Sequence, residues 1–159
     1  KERFKHEQQG WNFRISNLQA ALGVAQLERL SQIIKKKREI GSLYQRNLKT
    51  CSSLNLPLPQ DDNCENIYWV FGVVSFKRNK NAKWWISKLL EKGIGTRPFF
   101  YPMHLQPCLN MSNVSKLSLE NSERLSEHGF YLPSSPTLSR GSINNICDIL
   151  LEFCFHDDK

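Results

Sequence analysis

The chain has 159 residues, 40% of them apolar and 23% charged, a balance close to that of an ordinary globular domain. Such a composition excludes collagen-like, coiled-coil and disordered classes, and no apolar run approaches the ~20 residues of a membrane span. Lys and Arg number 22 against 15 Asp and Glu, a net charge of +7, which suits nucleic acid, a phosphorylated ligand or an anionic surface alike.

The opening KERFKHEQQG has no apolar segment of the signal-peptide kind and does not begin with Met, so the chain reads as a piece of something longer. Ser16-Asn17-Leu18-Gln19 then fits a capping box, with a hydroxyl at the N-cap and an amide three residues on. Leu18, Ala21, Leu22 and Ala25 make one helical face, continued less regularly by Leu30, Ile33, Ile34, Ile40, Tyr44 and Leu48. With no Pro from 15 to 50, one straight or slightly bent helix of about 45 Å is expected, a strut between two parts of a molecule. The run KKKRE at 35–39 lies inside this pattern and reads as a solvated face.

CSSLNLPLPQDDNCEN, 51–66, is a Pro/Asp/Asn-rich loop, and IYWVFGVVSF, 67–76, a buried strand with Gly72 as a local irregularity. NAKWWISKLLEKG, 81–93, reads as a helix with Trp85, Leu89 and Leu90 on one face and Gly93 closing it. IGTRPFF is a short strand that Pro98 confines to an edge or an end. A loop with Pro102 and Pro107 follows, then a short helix over 121–129, the extended FYLPSSP, and a final helix turning Ile143, Ile146, Ile149 and Leu150 inward. The predicted class is α+β: a long N-terminal helix, then a small, few-stranded sheet covered by helices.

No Gly-rich phosphate loop, HExxH or GxSxG is present. Cys51, Cys64, Cys108, Cys147 and Cys154 are odd in number and lack CxxC spacing, which indicates neither a zinc site nor a disulfide framework; they read as reduced thiols of a cytoplasmic protein. Asn-Met-Ser and Asn-Val-Ser at 110–115 match the glycosylation sequon, a short pattern common by chance. The pairs Asp61-Asp62 and Asp157-Asp158 and the scattered His6, His104, His128 and His156 fit solvated or structural roles, His128 sitting favourably at a helix C-terminus.

Two places admit a second reading. Arg14 stands just ahead of a helix start, where a cation opposes the helix dipole; an anion held there would gain from the guanidinium, the first-turn N–H groups and Asn12 together. A surface Arg that tolerates its position is the alternative. In TRPFFYPMHLQP, 96–107, three prolines stiffen a loop bearing Arg97, Phe99, Phe100, Tyr101 and His104, which suits either a polar ring-bearing ligand or packing alone.

GWNFRISNLQAALGVAQLERL, 10–30, resembles the G-Y-N-x-R…Q-A-A-x-G-x-x-Q-L segment of DegT/StrS-type nucleotide-sugar aminotransferases, pyridoxal-phosphate enzymes of fold type I. GIGTRPFFYPMHLQP and GFYLPSSPTLS are similar to later segments in the same order, most of all in the perosamine-synthetase branch, and the likeness runs to about residue 151. It implies a small C-terminal domain at 51–159, a connecting helix at 16–50 and an arm at 1–15 reaching the active site of the partner in a homodimer. It also implies that Asn12 and Arg14 are cofactor-binding residues of the partner's site, Asn12 at the cofactor phosphate and Arg14 at the anionic part of the cofactor or of a substrate there, that His104 lines the substrate pocket, and that Arg97, Phe99 and Tyr101 are candidate sugar-nucleotide contacts. Trp11 and Phe13 replace the family's frequent Tyr, so a contact from a Tyr hydroxyl is not carried over. No lysine here sits in a matching Schiff-base motif, so the resemblance implies no catalytic residue within the chain, which by itself is expected to be inactive. The implied reaction moves an amino group, from glutamate, to a 4-keto-6-deoxy sugar nucleotide such as GDP-4-keto-6-deoxymannose, with pyridoxal 5′-phosphate as cofactor and no metal, membrane or nucleic-acid partner. The alternative is a stand-alone module that binds a sugar nucleotide or a partner and has lost the chemistry; a basic nucleic-acid-binding domain is a distant third, since no known motif accompanies the dispersed charge.

Overall fold

Ser16 opens the first helix as its sequence predicts. In the computed structural model, which describes residues 3–109 and 118–155, its side chain accepts from the Gln19 N–H while Gln19 Oε1 accepts from the Ser16 N–H at 2.8 Å. The sequons at 110–115, His156 and the Asp157-Asp158 pair lie outside the described residues.

The expected single helix is two. α1 runs Asn17–Leu27 and α2 Leu30–Asn47, with Glu28 and Arg29 as the joint. The Arg29 N–H turns to Gln26 O at 3.2 Å, an i−3 bond, and Arg29 itself sits at φ −105°, ψ 4°, off the helical ladder. No Pro or Gly forces this break. α1 buries no side chain at all, whereas α2 buries Ile40 and Tyr44. The apolar pattern is therefore continuous in sequence but serves two environments.

Four strands follow: β1 (Leu54–Asn55), β2 (Phe71–Ser75), β3 (Arg97–Pro98) and β4 (Gly129–Leu132). Their order is β1-β2-β4-β3, every neighbouring pair antiparallel. β1 lies within the stretch read as loop, held by its ladder with Val74 and Ser75 and by the Phe76 N–H on Ser53 O at 3.0 Å. β2 starts only at Phe71, because Tyr68 at φ 51° turns the chain and leaves Trp69 exposed. β3 is an edge strand, as Pro98 requires. FYLPSSP supplies β4, which is central rather than peripheral: Phe71, Gly72, Val73 and Val74 pair with it on one side and Arg97 and Pro98 on the other.

α3 (Ala82–Glu91) is capped by Asn81 and closed by Gly93 at φ 76°, a conformation glycine adopts without penalty. It buries Trp85 and Leu89, but Leu90 faces solvent, one position off the predicted face. α4 (Glu120–His128) ends at Gly129, which is not left-handed; a side chain there would meet Leu125 O at 2.4 Å and the Phe99 ring at 2.5 Å. α5 (Arg140–Phe155) buries Ile143, Ile146, Cys147, Leu150 and Cys154.

One core joins α2, α3, α5 and the sheet. Trp85 stacks on Phe130 at 5.7 Å and Tyr44 lies 4.8 Å from Phe71, both rings of each pair fully buried. Burial of side chains this size contributes roughly 1.5–3 kcal/mol each. Gly41 lets α2 approach that core, since a Cβ would stand 2.3 Å from the buried Tyr68 ring. The Lys80 ammonium, itself buried, donates to Phe153 O at 2.7 Å and lies over the Trp84 ring at 4.5 Å, tying the end of α5 to α3.

The cysteines correct the sequence reading. Cys51 and Cys154, 103 residues apart, are joined in a disulfide with Cα atoms 6.0 Å apart. Local spacing could not show this, because α5 alone brings Cys154 back beside the end of α2. Cys64, Cys108 and Cys147 are free, and burial pushes the Cys147 thiol up to about 11. The run at 35–39 is also less solvated than expected. Lys37 Nζ donates to Ser134 O at 2.6 Å, its pKa lowered by burial, and Arg38 pairs with Glu65 at 2.7 Å.

Candidate functional site

Two groups of predicted residues sit on different elements. Asn12 and Arg14 form a turn on the arm before α1: Asn12 Oδ1 accepts from the Arg14 N–H at 2.9 Å. This is the Asx geometry that replaces a backbone turn. Arg14 sits at φ 57°, left-handed backbone that costs an L-residue roughly 1–2 kcal/mol. The Asn12 amide N–H groups and the Arg14 guanidinium bond to no other described residue and stand exposed as side-chain donors. Around them Trp11, Phe13, Ile15, Leu18 and Leu22 are each at least 70% exposed, an apolar face that no other described residue covers.

The second group lies on β3 and the loop after it. Arg97 is exposed, at the sheet edge. Phe99 stacks on Tyr131 with ring centroids 4.7 Å apart and covers Gly72 and Gly129, whose missing side chains make room for it. Its N–H donates to Gly129 O at 3.0 Å, extending the β3–β4 pairing. Tyr101 is half-buried with the Lys5 ammonium 4.8 Å from its ring centroid. His104, only 2% exposed, shares a 3.0 Å hydrogen bond between Nε2 and Glu123 Oε1. That bond from His104, with a second from the Leu119 N–H, holds the Glu123 carboxyl below its ordinary value. Glu123 thus orients His104 and caps α4 with one oxygen. The lone His of the sequence reading is in this respect a structurally satisfied one.

Sequence reasoning missed the residue that links the two groups. Gln106, buried at 4% exposure, accepts from the His6 N–H at 3.0 Å and donates to Phe4 O at 2.8 Å and, more weakly, to Tyr101 O at 3.4 Å. The Cys108 N–H closes the clasp on His6 O at 3.1 Å, and Phe4 packs on Phe100 at 4.7 Å. The base of the arm is therefore fastened to the loop bearing Tyr101 and His104. Among the described residues no hydrogen bond joins Asn12 or Arg14 themselves to Arg97, Phe99, Tyr101 or His104. A Gln between Leu105 and Pro107 carries no local signal of its partners, which lie about 100 residues away in sequence.

An arm, two helices and a four-stranded antiparallel sheet under helices recur as part of larger solved structures. The chain superposes on Streptomyces venezuelae DesV, solved with a ketimine intermediate, with TM-score 0.78 and 24% identity over 99% of this chain and 42% of that one. Helicobacter pylori PseC, an aminotransferase of pseudoaminic acid biosynthesis, gives 0.75 and 22% over 98% and 42%. The sequence pattern of the DegT/DnrJ/EryC1/StrS aminotransferase family matches residues 1–151, and the chain belongs to that family. Among its relatives, the GDP-perosamine synthases of Escherichia coli O157:H7 and Vibrio cholerae are 31% and 32% identical over 97% and 96% of this chain. The chain spans about 40% of the length of these relatives.

The family is one of pyridoxal-phosphate enzymes. The Asn12 amide and the Arg14 guanidinium are N–H donors of the kind that a cofactor's phosphate accepts. Among the described residues nothing encloses a ligand at this turn, and no lysine or carboxylate bonds to either side chain.

Proposed function

We propose that this chain is the C-terminal part of a pyridoxal-phosphate-dependent aminotransferase that transfers an amino group, from glutamate, to a 4-keto-6-deoxy sugar nucleotide of the GDP-4-keto-6-deoxymannose kind. The observation that carries the reading is the left-handed Arg14 locked by Asn12 at the head of an uncovered apolar helix. Strained, exposed residues of this kind cluster at functional sites. In this reading residues 1–15 are the arm, 16–50 the connecting helices and 51–159 the C-terminal unit, whose core α2 enters at Ile40. The apolar face of the arm and α1 packs on the rest of the protein and on a second copy in a homodimer. Asn12 and Arg14 then donate to the cofactor phosphate in the partner's site.

When bound, the cofactor supplies the electron-withdrawing ring on which an amino group is carried between two substrates. The chain's own residues bind and orient. Arg97, exposed at the sheet edge, meets the substrate's diphosphate; Phe99 and Tyr101 wall the sugar-nucleotide pocket; His104, its Nε2 engaged by Glu123, keeps a fixed ring orientation at that wall. The lysine that holds the cofactor lies outside these 159 residues, so the chain alone is inactive. The location is cytoplasmic, where nucleotide-activated sugars are made; among the described residues no helix is long and apolar enough to cross a membrane. In that compartment Cys51 and Cys154, adjacent in the fold, stand as reduced thiols; protein isolated under alkylating conditions should carry label on both, and an unlabelled, joined pair contradicts the location.

Equilibrium dialysis of the longer protein against pyridoxal phosphate tests the arm's role. Asn12→Ala and Arg14→Ala each weaken retention by about ten-fold, the worth of one charge-assisted hydrogen bond. Retention unchanged in both variants contradicts the reading.

A further inference from the structure

The face of α2 opposite the core carries a feature that the family reading does not use. Ser31, Lys35, Arg38, Ser42 and Arg46 recur at three- and four-residue spacing and so form one stripe. Arg140, at the start of α5, faces them across a groove of about 620 Å³ that Ile34 and Glu39 also line. That volume lies within the roughly 300–1,000 Å³ of small-molecule sites. None of the lining residues is among Asn12, Arg14, Arg97, Phe99, Tyr101 and His104.

The charges there do not cancel. Arg38 is paired with Glu65 at 2.7 Å, and Glu39, the one carboxylate among the groove's described lining residues, with Lys36 at 3.5 Å. Lys35, Arg46 and Arg140 have no carboxylate partner among the described residues. Arg38 Nε, though buried, has no acceptor among the described residues. Arg140 also stands in the first turn of α5, which holds no acidic residue, so its charge opposes the helix dipole. Four cations thus line one concavity with a single carboxylate, Glu39, two hydroxyls and one apolar residue, a net positive lining.

We propose that this groove binds a small phosphate-bearing anion, a phosphomonoester or diphosphate, with Arg46 and Arg140 as its principal donors. Lys35 and Arg38 supply further charge, Ser31 and Ser42 bond the remaining oxygens, and Ile34 packs on whatever apolar body the anion carries. A bound anion removes the mutual repulsion of the cations and the conflict at the α5 N-terminus in one step.

Inorganic pyrophosphate is the probe. The full chain is titrated with it at constant ionic strength while the Nε–H signals of the arginines are followed by NMR, with sodium sulfate and sodium chloride as controls. The groove predicts saturable one-to-one binding with shifts at Arg46, Arg140 and Arg38. Arg46→Gln with Arg140→Gln weakens it by about ten-fold or more, as loss of charge-assisted hydrogen bonds should. Lys35→Gln weakens it less, and Lys49→Gln, an equal change of charge on an exposed residue outside the groove, leaves it unchanged. Circular dichroism confirms that each variant is folded. Shifts that never saturate, shifts centred on Arg14, or equal weakening by Lys49→Gln overturn the proposal.

Discussion

Replacing Gln106 with Ala tests whether the arm is held by the clasp described above. The substitution deletes the acceptor for the His6 N–H at 3.0 Å and the donor to Phe4 O at 2.8 Å; the third bond, to Tyr101 O at 3.4 Å, is too long to weigh equally. Two good hydrogen bonds at a net ~1 kcal/mol each give about 2 kcal/mol, or roughly a 30-fold rise in the open population of the arm. The loss is local, because His6 is exposed and its N–H can turn to water once released. Amide hydrogen exchange reads this directly. The His6 and Cys108 amides should exchange roughly 30-fold faster, while those of β2, paired in the middle of the sheet, keep their rates. Unchanged exchange at His6 and Cys108 would refute the clasp. Equal acceleration in β2 would show instead that Gln106 supports the whole core.

Two further outcomes follow from the geometry. Glu123 has its carboxyl depressed below the ordinary 4.5, chiefly by the His104 hydrogen bond, so its contribution to stability is fully present above that value and is lost as pH falls through the depressed one. Denaturation midpoints of Glu123→Gln should therefore fall less steeply on acidification below about pH 4.5 than those of the parent chain; identical slopes would remove this pair from the acid response. Cys51→Ser opens a loop of 103 residues and should lower urea-measured stability by about 2–4 kcal/mol, an effect that a reducing agent reproduces in the parent and does not deepen in the variant.

What the sequence revealed, and what it hid, divides by range. The capping box at Ser16, the left-handed Gly93 and the confinement of Pro98 to an edge are local consequences of side-chain chemistry, and the structure repeats them. The inward faces at Trp85, Leu89, Ile143, Ile146 and Leu150 follow from helical period alone. The joint at Glu28–Arg29 was not legible, because no breaker marks it and the apolar pattern runs through it. Trp69 reads as strand until Tyr68 turns left-handed, with its N–H held on Asn66 Oδ1 at 2.7 Å. The same Asn-to-second-neighbour bond shapes Asn12 and Arg14, so one motif, met twice, places two strained residues. The disulfide and the Gln106 clasp bridge about 100 residues each, and only the assembled fold brings their members together.

In the proposed reading these residues complete an amino-transferring enzyme whose cofactor-holding lysine lies elsewhere. It is tested most directly by incubating the longer protein, and separately this 159-residue chain, with pyridoxal phosphate, glutamate and GDP-4-keto-6-deoxymannose, and measuring 2-oxoglutarate against amino sugar formed. Equal amounts of both products are expected from the longer protein and neither from the chain alone. Amino sugar formed by the chain alone, or no 2-oxoglutarate from the longer protein with any 4-keto sugar nucleotide, would contradict it.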